Sequence, residues 1–213
     1  MIEKIKHSKI VIADAIKQYP NIALACSFGK DSMVLLHLAL QIKPDISVFT
    51  VMTPFKPQAT FEFKNLVTQL WHLNIKEYIQ EDNIQAKEQK LWLSDPEKCC
   101  EYFKVTPTAQ AIFGLSAWLT GLRNTEGETR KDFKEIEYKK VIKINPILDW
   151  TELDIWRYIA FNQMPIHPWY KDGYRSLGCQ PCTAIIADDK SERLGRWQNT
   201  NKCGGECGIH TKI

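Results

Sequence analysis

The stretch NIALACSFGKDSMVLLHLAL, residues 21–40, passes from a short apolar run through a glycine-containing loop into apolar residues at helical spacing. It reads as strand, loop and helix, the opening unit of an α/β fold. Further along, DISVFTVM reads as a buried strand, residues 58–72 as a helix and IKEYI as a short strand. GLSAWLTGL reads as a strand running into a loop, and YKKVIKINPIL as another strand. Strands alternating with helices predict a mainly parallel sheet with helices on both faces, because parallel neighbours need crossover connections that cover the sheet. Ile2, Ile5, Ile10, Ala13 and Ile16 mark an amphipathic helix ahead of this unit, ended by Pro20. In DWTELDIWRYIAFN, Thr151 or Asp149 stands near the N-cap of a further helix, with Glu152 and Asp154 in its first turn. Beyond Pro165 the segment HPWYKDGYRSLGCQPC predicts an ordered loop held by contacts other than helix or sheet hydrogen bonds.

With 213 residues, 44% of them apolar, the chain suffices for one domain with its own core. No basic-then-apolar leader opens it, and no run approaches the roughly 20 apolar residues that span a bilayer. The expectation is a soluble, cytoplasmic protein without membrane contact. A net charge of +3 on scattered Lys and Arg provides no coat for nucleic acid, yet allows a local cationic pocket. The expected partner is a nucleotide, not a polymer, and a homo-oligomer is compatible with the sequence.

Ser27, Gly29, Lys30, Asp31 and Ser32 fall where the first strand turns into its helix. Backbone N–H groups converge there on the positive end of the helix dipole, and Lys30 adds a full charge, so the turn suits phosphate or sulfate. An ordinary strand-to-helix turn with a solvated Lys30 has the same pattern.

Seven cysteines in a chain without a leader point to metal or thiol chemistry more than to disulfides. Cys99 and Cys100 are adjacent, and Cys179 and Cys182 have Cys-x-x-Cys spacing. Two loops giving two thiolates each fit either zinc or an iron–sulfur cluster. Adjacent side chains diverge, which favours a [4Fe-4S] cluster with its separated irons over one zinc ion. The surroundings of both pairs read as polar and rich in turns. Cys26, ending a strand, reads as core.

Residues 198–213 read as a mobile tail appended to a domain of residues 1–197. GGECGIH is too rich in glycine for a stable helix or strand, and a thiol on such a segment can close over a pocket and swing out again. Arg193, Arg196 and His210 lie close enough in sequence to favour the thiolate of Cys207. A frayed terminus with an incidental thiol accounts for the same residues. Cys203, four residues earlier, is equally a resolving thiol or a spare one.

EKCCEYFKVTP, WLTGLRNTEGETR, NPILDWTELDIWRYI, GYRSLGCQPCT, RLGRW and ECGIH occur in this order. Together they resemble the assimilatory sulfonucleotide reductases, specifically the cluster-bearing adenylyl-sulfate (APS) reductases, over residues 22–210. The first loop resembles the PP-loop of the adenine nucleotide alpha-hydrolase superfamily, and so implies that superfamily's Rossmann-like fold. The resemblance further implies adenylyl sulfate as substrate and a [4Fe-4S] cluster on Cys99, Cys100, Cys179 and Cys182. It makes Cys207 the nucleophile, with His210 the matching tail histidine, and thioredoxin or a glutaredoxin-like dithiol the reductant. Lys104, Arg193, Arg196 and His210 would surround the sulfate, and Arg123 and Arg130 match a second basic loop.

Three departures matter. Phe28 replaces a loop glycine, and VMTPFKPQATFEF lacks the family's usual Asp-Thr-Gly and Glu-Thr. Lys30 and Ser32 keep the form used by ATP-cleaving relatives, which leaves ATP binding open, as is the choice between APS and its 3′-phosphorylated form (PAPS).

Overall fold

The computed structural model describes residues 1–80, 88–198, 200–202 and 205–213. Strands β1 (Ile22–Ala25), β2 (Val48–Met52), β3 (Ile75–Ile79), β4 (Ala117–Leu119), β5 (Ile136–Glu137) and β6 (Ile142–Ile144) form one sheet, ordered β3-β2-β1-β4-β6-β5. All neighbours run parallel except the edge pair β5 and β6. The strand expected in YKKVIKINPIL is thus three residues long, paired with a short antiparallel strand that the sequence did not announce.

Side chains alternate across the strands, and each set has its own cover. Ile22, Leu24, Val48, Ala117, Leu119 and Ile144 join one large core cluster. Helices α1 (Ile2–Gln18), α2 (Lys30–Leu40) and α3 (Gln58–Leu70) pack into it. On the opposite face Ala23, Phe49 and Trp118 pack against Ala111 and Ile112, with Ile209 and Ile213 of the C-terminal segment completing that layer. The two-faced cover therefore holds, and part of one face is the tail itself.

Residues 91–112, for which the sequence suggested the paired cysteines and Lys104 but no helix, are largely helical. They form α4 (Leu91–Ser94), α5 (Pro96–Cys100), a π turn (Glu101–Val105) and α6 (Thr106–Ile112). Asp95 caps α5 by accepting the Lys98 N–H at 3.0 Å, and Pro96 occupies the first turn, where its missing N–H costs nothing. The polar, turn-rich setting expected for Cys99 and Cys100 is corrected: both thiols lie buried on this helical segment.

Phe28 has a positive φ of 61° and is fully buried. The left-handed backbone explains why glycine is the usual occupant, and costs a larger residue about 1 kcal/mol. Burial of the ring in the main core offsets that strain by about 2 kcal/mol.

The last helix, α7 (Glu152–Phe161), starts at Thr151, the first of the two expected caps. Thr151 Oγ1 accepts the Asp154 N–H at 3.2 Å, and Asp154 accepts the Thr151 N–H at 3.0 Å. Lys4 donates to Asp154 at 2.8 Å, tying α1 to the same cap. Among the described residues no helix is long and apolar enough to cross a membrane. Thr151→Ala should lower unfolding stability by about 1 kcal/mol, read as a shifted urea midpoint with unchanged slope; an unchanged midpoint would show that Lys4 and Asp154 hold the helix start without it.

Candidate functional site

The strand order reverses between β1 and β4, and in open α/β sheets that crevice, beyond the C-terminal strand ends, is where ligands bind. Here it is a pocket of about 210 Å³. Ser27, Gly29, Asp31 and Ser32 all line it, as the sequence suggested. Ser32 Oγ accepts the Ser27 N–H at 3.2 Å and donates to the Gly29 carbonyl at 3.0 Å, so it braces the loop. Across the pocket Gly121 lets the end of β4 touch that loop: a Cβ there would sit 2.9 Å from the Ser32 backbone nitrogen.

Lys30 and Arg123, expected among the ligand-binding residues, do not line the pocket. The Lys30 ammonium is buried behind the loop, donating to Glu192 at 2.6 Å and to the Arg175 carbonyl at 2.7 Å. Burial opposes its charge, but Asp31, Tyr170 and Glu192 outweigh that and hold its pKa above the ordinary lysine value. Arg123 donates to Asp31 at 2.6 Å and to both Glu192 oxygens at 2.8–2.9 Å. Arg175 completes the network on Glu152, and its other donors hold the carbonyls of Asp188 and Lys190. These bonds are the non-helical contacts that order the loop beyond Pro165. Three cations, Lys30, Arg123 and Arg175, thus face three carboxylates, Asp31, Glu152 and Glu192.

The opposite end of the pocket is strongly cationic. Lys104, Arg130, Arg193 and Arg196 line it as expected, and Lys56 joins them. Two carboxylates, Glu126 and Glu206, partner Arg130. The guanidinium of Arg196 lies 4.7 Å from the centre of the Trp197 ring and Lys104 Nζ 5.5 Å, an attraction to the indole face. Arg196 crosses directly over Gly178, where an added Cβ would fall 1.7 Å from Nη1. Burial, reinforced by Arg130, brings the Arg193 pKa down to about 10. Burial, opposed by Cys179 but aided by Lys104 and Arg196, brings Lys56 down to about 8.

Cys207 and His210 reach this end on the C-terminal segment, which is seated here and not extended into solvent. Glu206 accepts from Arg130 at 2.6 Å, and Lys139 and Lys143 donate to the His210 carbonyl at 3.0 and 3.2 Å. The His210 ring stacks on Trp118, 6.2 Å between centroids. Burial, with Arg130, Lys143 and Arg193 nearby, holds its pKa well below the ordinary histidine value. Burial thus disfavours the charged form of His210 at this place. Arg196 Nε and His210 Nδ1 are buried without a hydrogen-bond partner among the described residues. Cys203 lies outside those residues.

Cys207 also packs against Cys100, Cys179, Cys182 and Trp197. Behind it, Cys99, Cys100, Cys179 and Cys182 border one small cavity walled by Phe55, Trp92, Phe103 and Trp197, with Lys104 on its rim. Among the described residues no three His, Cys, Asp or Glu side chains converge closely enough to hold a metal ion. Burial raises the pKa of Cys99 to about 12 and of Cys182 to about 11. Cys179 alone shifts downward: burial opposes the thiolate, but Lys104, Lys56 and a 3.2 Å contact with Thr53 overcome it. Cys26 is buried in the main core, as expected.

Lys56, Trp197, Gly178 and Tyr170 escaped the sequence reading. Lys56 carried one usable signal, a cation between two prolines just after β2, at the C-terminal end of a strand flanking the crevice.

Residues 21–185 match the profile of the phosphoadenosine phosphosulfate reductase domain. The chain is 36% identical, over 98% of its length and 92% of the relative's, to a Bacillus cereus protein named adenosine 5′-phosphosulfate reductase. It is also 36% identical to one of that name from Staphylococcus epidermidis, over 92% and 84%. In fold it is similar to the phosphoadenylyl-sulfate (PAPS) reductase of Candida auris, with TM-score 0.72 and 23% identity over 84% of this chain and 90% of that one.

Glu206→Gln should loosen the seated segment, because it removes the charge that holds Arg130 and Arg193 to it. Alkylation of Cys207 by iodoacetamide, followed by mass spectrometry, should run several-fold faster than in the unmodified protein. Equal rates would show that the other contacts of the segment, the lysine bonds to the His210 carbonyl and the burial of Ile209 and Ile213 among them, hold the seat without Glu206.

Proposed function

Because the chain belongs to the phosphoadenosine phosphosulfate reductase family, we propose that it reduces adenylyl sulfate to sulfite and AMP in the cytoplasm, with a thioredoxin-like or glutaredoxin-like dithiol as reductant. Cys207 carries this reading: its thiol shares one pocket with the strand-end loop and with five cations. The Cys207 thiolate attacks the sulfate sulfur, forming an S–S bond as the S–O bond to AMP breaks and AMP leaves with the electron pair. The dithiol then attacks Cys207 Sγ. Sulfite departs with the S–S electrons, and the second thiol closes a disulfide on the reductant, freeing Cys207.

In the first step one anion approaches another, so the barrier is largely electrostatic. Lys56, Lys104, Arg130, Arg193 and Arg196 offset that repulsion. The unpartnered Arg196 Nε and His210 Nδ1 are suited to meet sulfate oxygens. Trp118 holds the imidazole plane by stacking.

Cys99, Cys100, Cys179 and Cys182 would hold a [4Fe-4S] cluster, which supplies fixed charge beside Lys104 and the sulfate, not electrons. The donor set supports that assignment: four buried thiols around one enclosed, aromatic-walled cavity. The adjacency of Cys99 and Cys100, whose side chains diverge, suits several separate irons better than one zinc.

The family's own description favours a second substrate, the 3′-phosphorylated nucleotide, while the named bacterial relatives favour adenylyl sulfate. Sulfite release from the two nucleotides, each with reduced thioredoxin, separates them. Cys207→Ser should lower sulfite formation at least about a thousandfold and leave the brown cluster absorbance intact; full activity would remove the nucleophile assignment. Gly178→Ala should push the Arg196 guanidinium off its seat and lower kcat/KM for the sulfonucleotide about a hundredfold, with iron content unchanged.

A further inference from the structure

We infer that Glu192 is the specificity-determining residue that closes this nucleotide site to polyphosphates, by occupying the loop lysine from within the chain. The inference deepens the reading above, since it states which nucleotides that pocket refuses. Lys30 is the cation that the loop offers, and its ammonium is 1% exposed. Glu192, from a turn near the end of the domain, accepts from it at 2.6 Å while taking two further bonds from Arg123. Tyr170 Oη accepts the Lys30 backbone N–H at 2.7 Å, so the first donor of α2 is occupied as well.

Charge decides the outcome. At the loop end, Lys30, Arg123 and Arg175 are balanced by Asp31, Glu152 and Glu192. At the tail end, five cations face two carboxylates, Glu126 and Glu206, among the described residues, which leaves positive charge that only thiolates or a bound anion can answer. A ligand anion therefore finds net attraction only at the tail end. A β,γ-diphosphate brought to the loop would have to displace a buried carboxylate from two cations, and separating such a pair is strongly unfavourable. A nucleotide with one phosphate and one sulfate needs nothing from Lys30.

The test uses inorganic pyrophosphate as probe and the full-length, anaerobically purified protein, with calorimetric titration and thermal melting. Glu192→Gln keeps the shape and removes one negative charge, so the loop end gains a net positive charge. Pyrophosphate should bind this variant at least tenfold more tightly than the unmodified protein, and raise its Tm more. The double variant Lys30→Met with Glu192→Gln should return to the unmodified affinity, since the probe's other contacts at the tail end remain. A folded Glu192→Gln protein with no gain, or a gain that survives loss of Lys30, overturns the proposal. If Glu192→Gln does not fold alone, recovery of folded protein by pyrophosphate supports the proposal when the double variant shows none; no recovery counts against it. Binding of pyrophosphate needs no turnover, so failure to form sulfite would remove the enzymatic reading and leave this result standing.

Discussion

Mutual repulsion among Lys56, Lys104, Arg130, Arg193 and Arg196 is the constraint around which the molecule is arranged. Cations this close, out of water, are tolerable only when anions and polarisable faces surround them. Glu126 and Glu206 neutralise Arg130, the Trp197 indole lies under Lys104 and Arg196, and the Cys179 thiolate is stabilised by the same field. What those partners leave is a cationic pocket wall at the place where the tail thiol arrives.

The two ends of the pocket solve opposite problems with the same kinds of residue. Behind the loop, cations and carboxylates cancel, and the result is a rigid joint linking α2, the β4 loop and the segment before the tail. Beside Trp197 the carboxylates are fewer than the cations, and the result is a cationic pocket. The tail belongs to the second arrangement mechanically as well: Ile209 and Ile213 close a sheet face, and His210 stacks on the same Trp118 that fills that face. The placement of Cys207 is thereby coupled to hydrophobic burial.

The strand–loop–helix unit, the helix cap at Thr151 and the crowding of basic residues near the tail were legible because each rests on neighbours in sequence. Lys30 was legible as a loop residue, but its role was not, for Glu192 lies 162 positions away. The same holds for Asp31 and Arg123, 92 positions apart. Residues 91–112 were opaque for another reason: each helical piece is too short to display a period, and charges with a proline around Cys99 imitate a turn. Phe28 reads as a departure from pattern until the left-handed backbone shows what the pattern was for.

The π turn at Glu101–Val105 holds one residue more than a continuous α-helical path between Cys100 and Thr106 would need. Each residue advances an α-helix by about 100°. Losing one residue here would let the chain run as plain α-helix from the cysteine pair into α6, whereas a further residue that the turn could not absorb would swing α6 around by that angle, carrying Thr108 off the pocket and Ala111 and Ile112 off the sheet. One residue of slack is thus stored in the joint between the thiol pair and the cover of the sheet, and it can be taken up in one direction only.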